Sequence, residues 1–356
     1  MINTYILTLP QGGGDAIGFE NAAYSLSISN YDIDYLYYFT SGVRLFELLG
    51  SYIYVIVGRQ PIILGLTIVL LGVYTVKLVY KATLLLWRNK KVARKAAWFT
   101  ALFPTLMLHS ALFLREVPVN VFLLLSIISF IKYWQYHKSS QIIGFIIYAF
   151  GAAIFHSGSL FLLIGFVYII GFHSKGKGIG LKITALILII SMLFIINSTG
   201  IGINKLGGSF DSSLELLETR ENYTLKGDSA YPSWIMLTGG INDFIKIPIR
   251  IIAFLFSPLI PFWARSFWHA IGLIDASLYL FMFYTFIRKR KIFKINKTAK
   301  ALLIMTLFLI LVFSLGVANV GTAIRHRAKM APLLIVIFTG LYYYKVSFFL
   351  NKRAPK

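Results

Sequence analysis

Cysteine is absent from this chain, and acids are scarce: 13 Asp and Glu stand against 35 Lys and Arg in 356 residues. Without cysteine there is no disulfide framework, no thiolate metal site and no catalytic thiol. Charge of any sign is thin, at 13% of residues, where a soluble domain carries about 25%. What is there instead is hydrocarbon. Apolar residues make up 58%, aromatics 16%, and the mean hydropathy is +0.75. That balance excludes a soluble enzyme, a disordered chain and a fibrous protein. It predicts an all-α polytopic membrane protein. The formal charge of +22 would point to nucleic acid in a soluble protein. Here the basic residues gather in short loops between apolar runs, the pattern that sets membrane topology, and no nucleic-acid partner is expected. Met1 to Leu9 is apolar but has no basic start and no cleavage site, so no signal peptide is expected.

Apolar runs long enough to span lie at roughly 61–87, 96–114, 117–134, 141–156, 157–172, 181–198, 270–288, 300–318 and 323–345. With a re-entrant or interfacial segment at 41–58, about nine to ten transmembrane helices are expected in a single membrane domain, 1–356. One set of loops is basic and acid-free: Arg88 to Lys91, Lys132 with Lys138, Lys175 with Lys177 and Lys182, Arg288 to Lys291, and Lys352-Arg353. The acids fall in or beside the other set or in the N-terminal stretch, where Asp15, Glu20, Asp32 and Asp34 precede the first Lys or Arg. The positive-inside rule puts the basic set in the cytoplasm, together with the C-terminus, and the assignment alternates through all nine runs. Segment 1–60 is then an outer N-terminal segment. Trp87, Trp98 and Trp134 fall at the inner boundary, and Trp234, Trp263 and Trp268 at the outer one, as aromatic belts do.

The run 141–172 has basic flanks on both sides and must cross twice. Each arm of about 16 residues is about 24 Å long, short of a core of about 30 Å. The turn His156-Ser157-Gly158-Ser159 is therefore expected to be recessed, which polar backbone tolerates only in a protein-lined or wet cavity. The longest loop, 199–246, is acidic and outer, with Ser213 as a possible helix cap and Tyr223, Tyr231 and Trp234 able to stack on sugars. Pro248, Pro258 and Pro261 predict a broken, re-entrant segment over 247–268. There is no internal repeat, which weakens a transporter built from inverted repeats.

Ionisable residues inside such spans are functional hypotheses by default. His109, Arg115 and Glu116 lie at one outer helix end, with His109 and Glu116 expected on one face and the helix ending before Pro118. His156 occupies the recessed turn. Arg250, Arg265 and His269 are spread along the proline-broken segment. Arg325, His326, Arg327 and Lys329 fall in the first two turns of a helix that Thr322 is expected to cap and Pro332 to kink. Cations oppose the dipole at a helix start, and a bound anion such as phosphate repairs that conflict. Asp15 follows Gly12-Gly13-Gly14, which permit a tight turn but lack the lysine of a nucleotide loop.

Three stretches carry a likeness. Leu102-Phe103-Pro104 to Leu114-Arg115-Glu116, Ala153-Ile154-Phe155-His156-Ser157-Gly158-Ser159, and Gly321-Thr322-Ala323-Ile324-Arg325-His326-Arg327 resemble the Wzy and EpsG-type polysaccharide repeat-unit polymerases. Gly13-Gly14-Asp15 with Phe19 to Ala23 is similar too. The resemblance implies a GT-C-like helical membrane glycosyltransferase. It implies transfer of a glycan from undecaprenyl pyrophosphate onto a second undecaprenyl-pyrophosphate-linked repeat unit, outside a bacterial inner (plasma) membrane. It implies chain-length-regulating and flippase partners. Under it Arg115, Arg325 and Arg327 hold the pyrophosphate, and Arg250 or Arg265 serves the second lipid. The base is His326 or His156, then Glu116 or Asp15. No cofactor or metal is expected, with arginine in place of a metal. Two other readings stay open: a transferase adding one sugar from a polyprenyl-phosphate donor, and a flippase or transporter of lipid-linked oligosaccharide.

Overall fold

The computed structural model describes residues 14–29, 35–39, 42–173, 178–199, 229–237, 243–259 and 269–343. The described elements are helices joined by short turns. They are α1 (Asp15–Ser27), α2 (Tyr35–Phe39), α3 (Gly42–Val57), α4 (Pro61–Trp87), α5 (Lys90–Ala101), α6 (Pro104–Ser110), α7 (Glu116–Tyr136), α8 (Ser140–Phe155), α9 (Phe161–His173), α10 (Ile179–Thr199), α11 (Asp243–Phe256), α12 (His269–Arg288), α13 (Ile292–Ile295), α14 (Lys297–Leu315), α15 (Val320–Arg327) and α16 (Ala331–Tyr342). Among the described residues the nearest thing to a strand is one bridge, Ala230 to Asn319. The all-α expectation holds.

Among the described residues four helices are long and apolar enough to cross a membrane: Pro61–Trp87, Glu116–Tyr136, Ile271–Arg288 and Lys297–Leu315. The expected count of nine to ten is not reached by that measure. Four further apolar stretches, Ser140–Phe155, Ser157–His173, Ile179–Met192 and Ala331–Tyr342, are shorter than a full span. Backbone chemistry explains where the long apolar runs were cut. Asn89 and Asn296 cap α5 and α14 by accepting from Lys91 and Val92 and from Ala299. Pro61, Pro104 and Pro332 sit in first turns, where a missing N–H costs nothing.

The run 141–172 breaks where expected. α8 ends at Phe155, His156 turns extended at φ −153°, and a 3-10 turn, Ser157–Leu160, leads into α9. The chain reverses there. Along α8 the partners on α7 run from Ser126, which donates to the Phe145 carbonyl, back to Phe122, stacked on Phe155. Along α9 they run from Phe313, against Gly158, to Met305, against Gly165. α8 is thus antiparallel to α7, and α9 to α14.

Several expected details differ. The run 96–114 is two helices, α5 and α6, because Pro104 restarts the chain after Phe103. His109 ends α6 while Glu116 begins α7, so they share no helix face, and Pro118 lies in the first turn of α7 instead of ending a helix. Pro248 sits inside α11 without breaking it. Trp87 is 3% exposed, and its Nε1 donates to the Val336 carbonyl at 2.9 Å, so it is a core strut and not a boundary anchor. Gly340 makes room for that ring: a Cβ there would lie 1.9 Å from it. Pro261, Trp263, Trp268, Ser213 and Tyr223 lie outside the described residues.

Candidate functional site

The largest correction concerns residues 319–332. Asn319 caps α15, accepting from the Thr322 amide at 2.7 Å, so Thr322 is not the cap. α15 stops at Arg327, and Pro332 opens a new helix instead of kinking an old one. Lys329 and Met330 amides close the link onto His326 and Arg327 carbonyls. Arg325, His326 and Arg327 therefore lie in the last turn of a short helix, where the dipole favours cations. The conflict read from sequence disappears. An anion site needs other grounds.

Those grounds are the side chains. α15 sends its two arginines to different places. Arg325 forks onto Glu116, with Nε donating to Oε1 at 2.6 Å and Nη2 to Oε2 at 3.3 Å. Its Nη1 donates to Asp15 at the start of α1. Lys329 Nζ lies 3.5 Å from the same Glu116 Oε1 and within hydrogen-bond distance of His326 Nδ1. Glu116 opens α7, so the helix dipole also favours its charge. The pairing is buried at one end and open at the other: side-chain exposure is 1% for Glu116, 0% for Lys329, 15% for Arg325 and 60% for Asp15.

Arg115 and His156 adjoin this cluster through the turn after α8. Arg115 is buried, and its Nη1 donates to the Phe155 carbonyl at 3.1 Å. Its Nε is buried with no acceptor among the described residues. The Ser159 hydroxyl, three residues beyond His156, is in the same condition. The ring of His156 stands edge-on to His326 at 4.9 Å and tilts against Phe313 at 4.8 Å. With Lys329 as an ammonium, Nδ1 of His326 accepts and the neutral ring carries its hydrogen on Nε2. Three cations (Arg115, Arg325, Lys329) face two carboxylates (Glu116, Asp15), and the surplus is positive. This is an arrangement that can hold one anionic group and move a proton beside it.

Arg327 and Arg250 have different surroundings. Arg327 is 0% exposed, with Nε 3.0 Å from Asp275 Oδ2 and its other nitrogens on the Leu255, Ser257 and Gly272 carbonyls. Thr105 donates to the other Asp275 oxygen at 2.8 Å, and Tyr279 donates to the Arg327 carbonyl at 2.8 Å. Arg250 is 1% exposed and donates to the carbonyls of Ile235, Ser314, Leu315 and Val317. Both arginines expected at a pyrophosphate or a second lipid thus clasp the backbone ends of neighbouring helices. Arg265 lies outside the described residues.

The structure thus gathers Asp15, Arg115, Glu116, His156, Arg325 and His326, drawn from three separate sequence stretches and the N-terminal segment. It adds Lys329 as the link between Glu116 and His326, and Asp275 as the partner of Arg327. Asp275 had a sequence signal, an acid within the apolar run 270–288, that passed unread. No family model, curated protein or solved structure matches this chain.

Proposed function

We propose that this chain is a multi-pass membrane glycosyltransferase of the repeat-unit polymerase kind, acting at the outer face of a bacterial plasma membrane. The observation that carries the reading is the cluster at the open end of Arg325. Two arginines, a buried lysine and an imidazole pair converge where the acid-bearing loops meet, and Arg115 holds a buried Nε–H with no acceptor among the described residues. Burial of a guanidinium donor costs free energy unless an acceptor arrives, and a phosphate oxygen is a fitting one. The short stretches Ser140–Phe155 and Ser157–His173 support a paired crossing that brings His156 to this face. On this reading they join the four full-length spans, and the basic loops and the C-terminus face the cytoplasm.

The chemistry follows from the groups present. The donor is a glycan on undecaprenyl pyrophosphate, and the acceptor is a hydroxyl of a second lipid-linked repeat unit. The acceptor oxygen bonds to the anomeric carbon as the bond from that carbon to the pyrophosphate oxygen breaks. The hydroxyl proton passes to a base within hydrogen-bond reach, and undecaprenyl pyrophosphate leaves with its electron pair. Arg325 and Arg115 stabilise the charge that grows on the leaving group. Asp15, the exposed partner of Arg325, exchanges for the phosphate as it enters. His326, with its hydrogen on Nε2, suits a donor to that phosphate better than a base. The base then falls to His156.

One experiment tests this. Purified protein is mixed with lipid-linked repeat units and the products are sized on a gel. A ladder is the expected result. One added sugar favours a single-sugar transferase using a polyprenyl-phosphate donor. No new glycosidic bond, with lipid moved between leaflets, favours a flippase and overturns the reading.

A further inference from the structure

α12 and α16 both leave the candidate site and run to the basic end of the molecule. Gly272 and Asp275, early in α12, hold Arg327, and α16 opens two residues after Lys329. Phe338 of α16 lies 5.5 Å from Phe99 of α5 and 5.4 Å from Phe281 of α12, so those two helices flank it. Past Phe338 the aromatic contacts continue at the surface. Tyr342 packs 5.5 Å from Phe281 and 4.9 Å from Tyr343. On one flank Lys95 of α5 places its Nζ 3.6 Å from the centre of the Tyr343 ring. On the other, Arg288 Nη1 donates to the Tyr284 hydroxyl at 2.7 Å. Trp98 is 68% exposed and Tyr284 53%, so these rings do not belong to the core.

The charge of this face is uncompensated. Residues 48–115 and 276–356 contain no Asp or Glu. Neither Lys95 nor Arg288 takes part in an ion pair among the described residues. Their neighbours add the same sign, with Arg94 on α5 and Lys289, Arg290 and Lys291 after α12. The sequence 344–356 brings four more cations and no acid, so it offers no carboxylate side chain to balance them. The seats matter as much as the charge. A cation resting on an aromatic ring stays at one depth and keeps its remaining donors for a ligand.

Both flanks also change character in the same order. From the basic end inward, α5 presents Lys95, then Trp98, and Leu102 follows; α12 presents Arg288, then Tyr284, then Phe281. Each set recurs at i, i+3 and i+7, the spacing of one helix face. Seven residues of helix cover about 10 Å, enough to follow a lipid from its phosphate into its chains. Leu102 and Phe281, at the inner ends, are both exposed. The matching ligand has a phosphate above, hydrocarbon below and a net negative charge. A zwitterionic lipid brings an ammonium that these cations repel. An acidic soluble protein would suit Lys95 and Arg288 but leave Leu102 and Phe281 uncovered.

We infer that this face of α5, α16 and α12 binds an anionic phospholipid, with its phosphate at Lys95 and Arg288 and its acyl chains over Trp98, Leu102 and Phe281. The inference is independent of the glycosyl-transfer reading and needs only a bilayer around these helices.

The test uses full-length protein in phosphatidylcholine nanodiscs. One probe is phosphatidylglycerol with a diazirine in its acyl chain, and the other is phosphatidylcholine with the same chain. After irradiation, labelled peptides are mapped by mass spectrometry. Phosphatidylglycerol should label 98–102 and 280–284 severalfold above phosphatidylcholine, and unlabelled phosphatidylglycerol should displace it. Lys95→Gln and Arg288→Gln should each lower that labelling about fivefold, the worth of one cation at a lipid phosphate. Both side chains are exposed, so the variants keep the fold. Lys132→Gln with Lys138→Gln removes as much charge away from this face and should leave the labelling in place. Raising the salt to about 0.5 M should weaken it in the unaltered protein. Equal labelling by the two headgroups means bulk lipid, or a face kept for an acidic protein, and overturns the inference. A fall in the Lys132 and Lys138 variant as large as in the other two means diffuse attraction to the whole basic end and overturns it as well.

Discussion

Arg327 Nε lies 3.0 Å from Asp275 Oδ2 with neither side chain reaching solvent, while Arg325, two residues earlier, faces the open side of the same helix. Two residues, about half a helical turn, separate a guanidinium held in the core from a candidate substrate-holding one. Removing one partner strands a buried charge, which costs about 3–5 kcal/mol. Arg327→Met and Asp275→Leu alone should each lower the thermal midpoint sharply. The double variant should recover much of the loss, because an apolar pair of similar volume is close to neutral there. Recovery of stability without recovery from the single variants' defects in activity would return Arg327 to the substrate.

Arg325 should behave in the opposite way. Arg325→Ala leaves Lys329 Nζ 3.5 Å from Glu116, so the carboxylate keeps a partner and the protein should stay folded. Binding of lipid pyrophosphate should weaken about tenfold to a hundredfold, the worth of one charge-assisted contact at about 1.5–3 kcal/mol. Arg325→Lys should rescue poorly, since an ammonium lacks the fork that now spans Glu116 and Asp15. Full binding by the lysine variant would reduce the site to simple charge attraction. Titration with undecaprenyl pyrophosphate by microscale thermophoresis gives the number.

Much of this site was legible from composition alone. In a chain with so few acids, Asp15 and Glu116 stand out, and the break at His156 followed from basic flanks on both sides of a run too short for two full spans. What could not be read was helix polarity around Arg325. Thr322 and Asn319 are both good caps, and it is the stop at Arg327, with a new helix opening at Ala331, that moves three cations from the start of one long helix to the finish of a short one. The fates of Arg327 and Arg250 were equally hidden. Each is held mainly by backbone carbonyls from distant segments, and carbonyls carry no residue signature. The cut of 96–114 at Pro104 was visible, but apolar flanks on both sides masked it.

Acid should loosen α1. Burial raises the Glu20 carboxyl, but hydrogen bonds from Arg59 and Tyr54 outweigh it and leave it below its ordinary 4.5. A carboxyl lowered in the folded state contributes stability above its unfolded value, and that contribution is lost as pH falls through the folded one. Proteolysis within 14–29 should therefore stay constant from pH 7 to about 5 and rise below the ordinary carboxyl range near 4.3. Glu20→Gln should be cut faster at neutral pH and show a flatter acid response. A wild-type profile flat down to pH 3 would remove Glu20 as the tether.

Cysteine labelling in a chain with no native cysteine should read the topology directly. Single cysteines at Lys90 and Lys138, both exposed and at the basic end, should react only after the membrane is permeabilised. Positions in the loops near 176 and 293 belong with them. Arg59, and positions in the loops near 118, 222 and 320, should react from outside in intact cells. Outside reaction at 176 would undo the paired crossing of 141–172 and take His156 away from the outer face.

The imidazole pair decides how the proton moves. Lys329 lies at Nδ1 of His326 and 3.5 Å from Glu116, and as an ammonium it makes that imidazole nitrogen an acceptor. A ring fixed in this tautomer offers a hydrogen at Nε2 and cannot take one there. His326→Gln keeps an N–H near that position, whereas His326→Ala removes it. If His326 donates to the leaving phosphate, the glutamine variant should retain most of the rate and the alanine variant lose it, with donor lipid bound equally by both. If His326 is the base, both should fall by about 10²–10⁴-fold, the usual worth of general-base catalysis. His156→Gln separates the cases further. Its ring stands 4.9 Å from that of His326, and an amide at that position cannot accept the acceptor-hydroxyl proton at neutral pH. The expected result is a large loss of rate in His156→Gln beside a small one in His326→Gln. The reverse order would exchange the two roles and leave the arginine fork of Arg325 where it is.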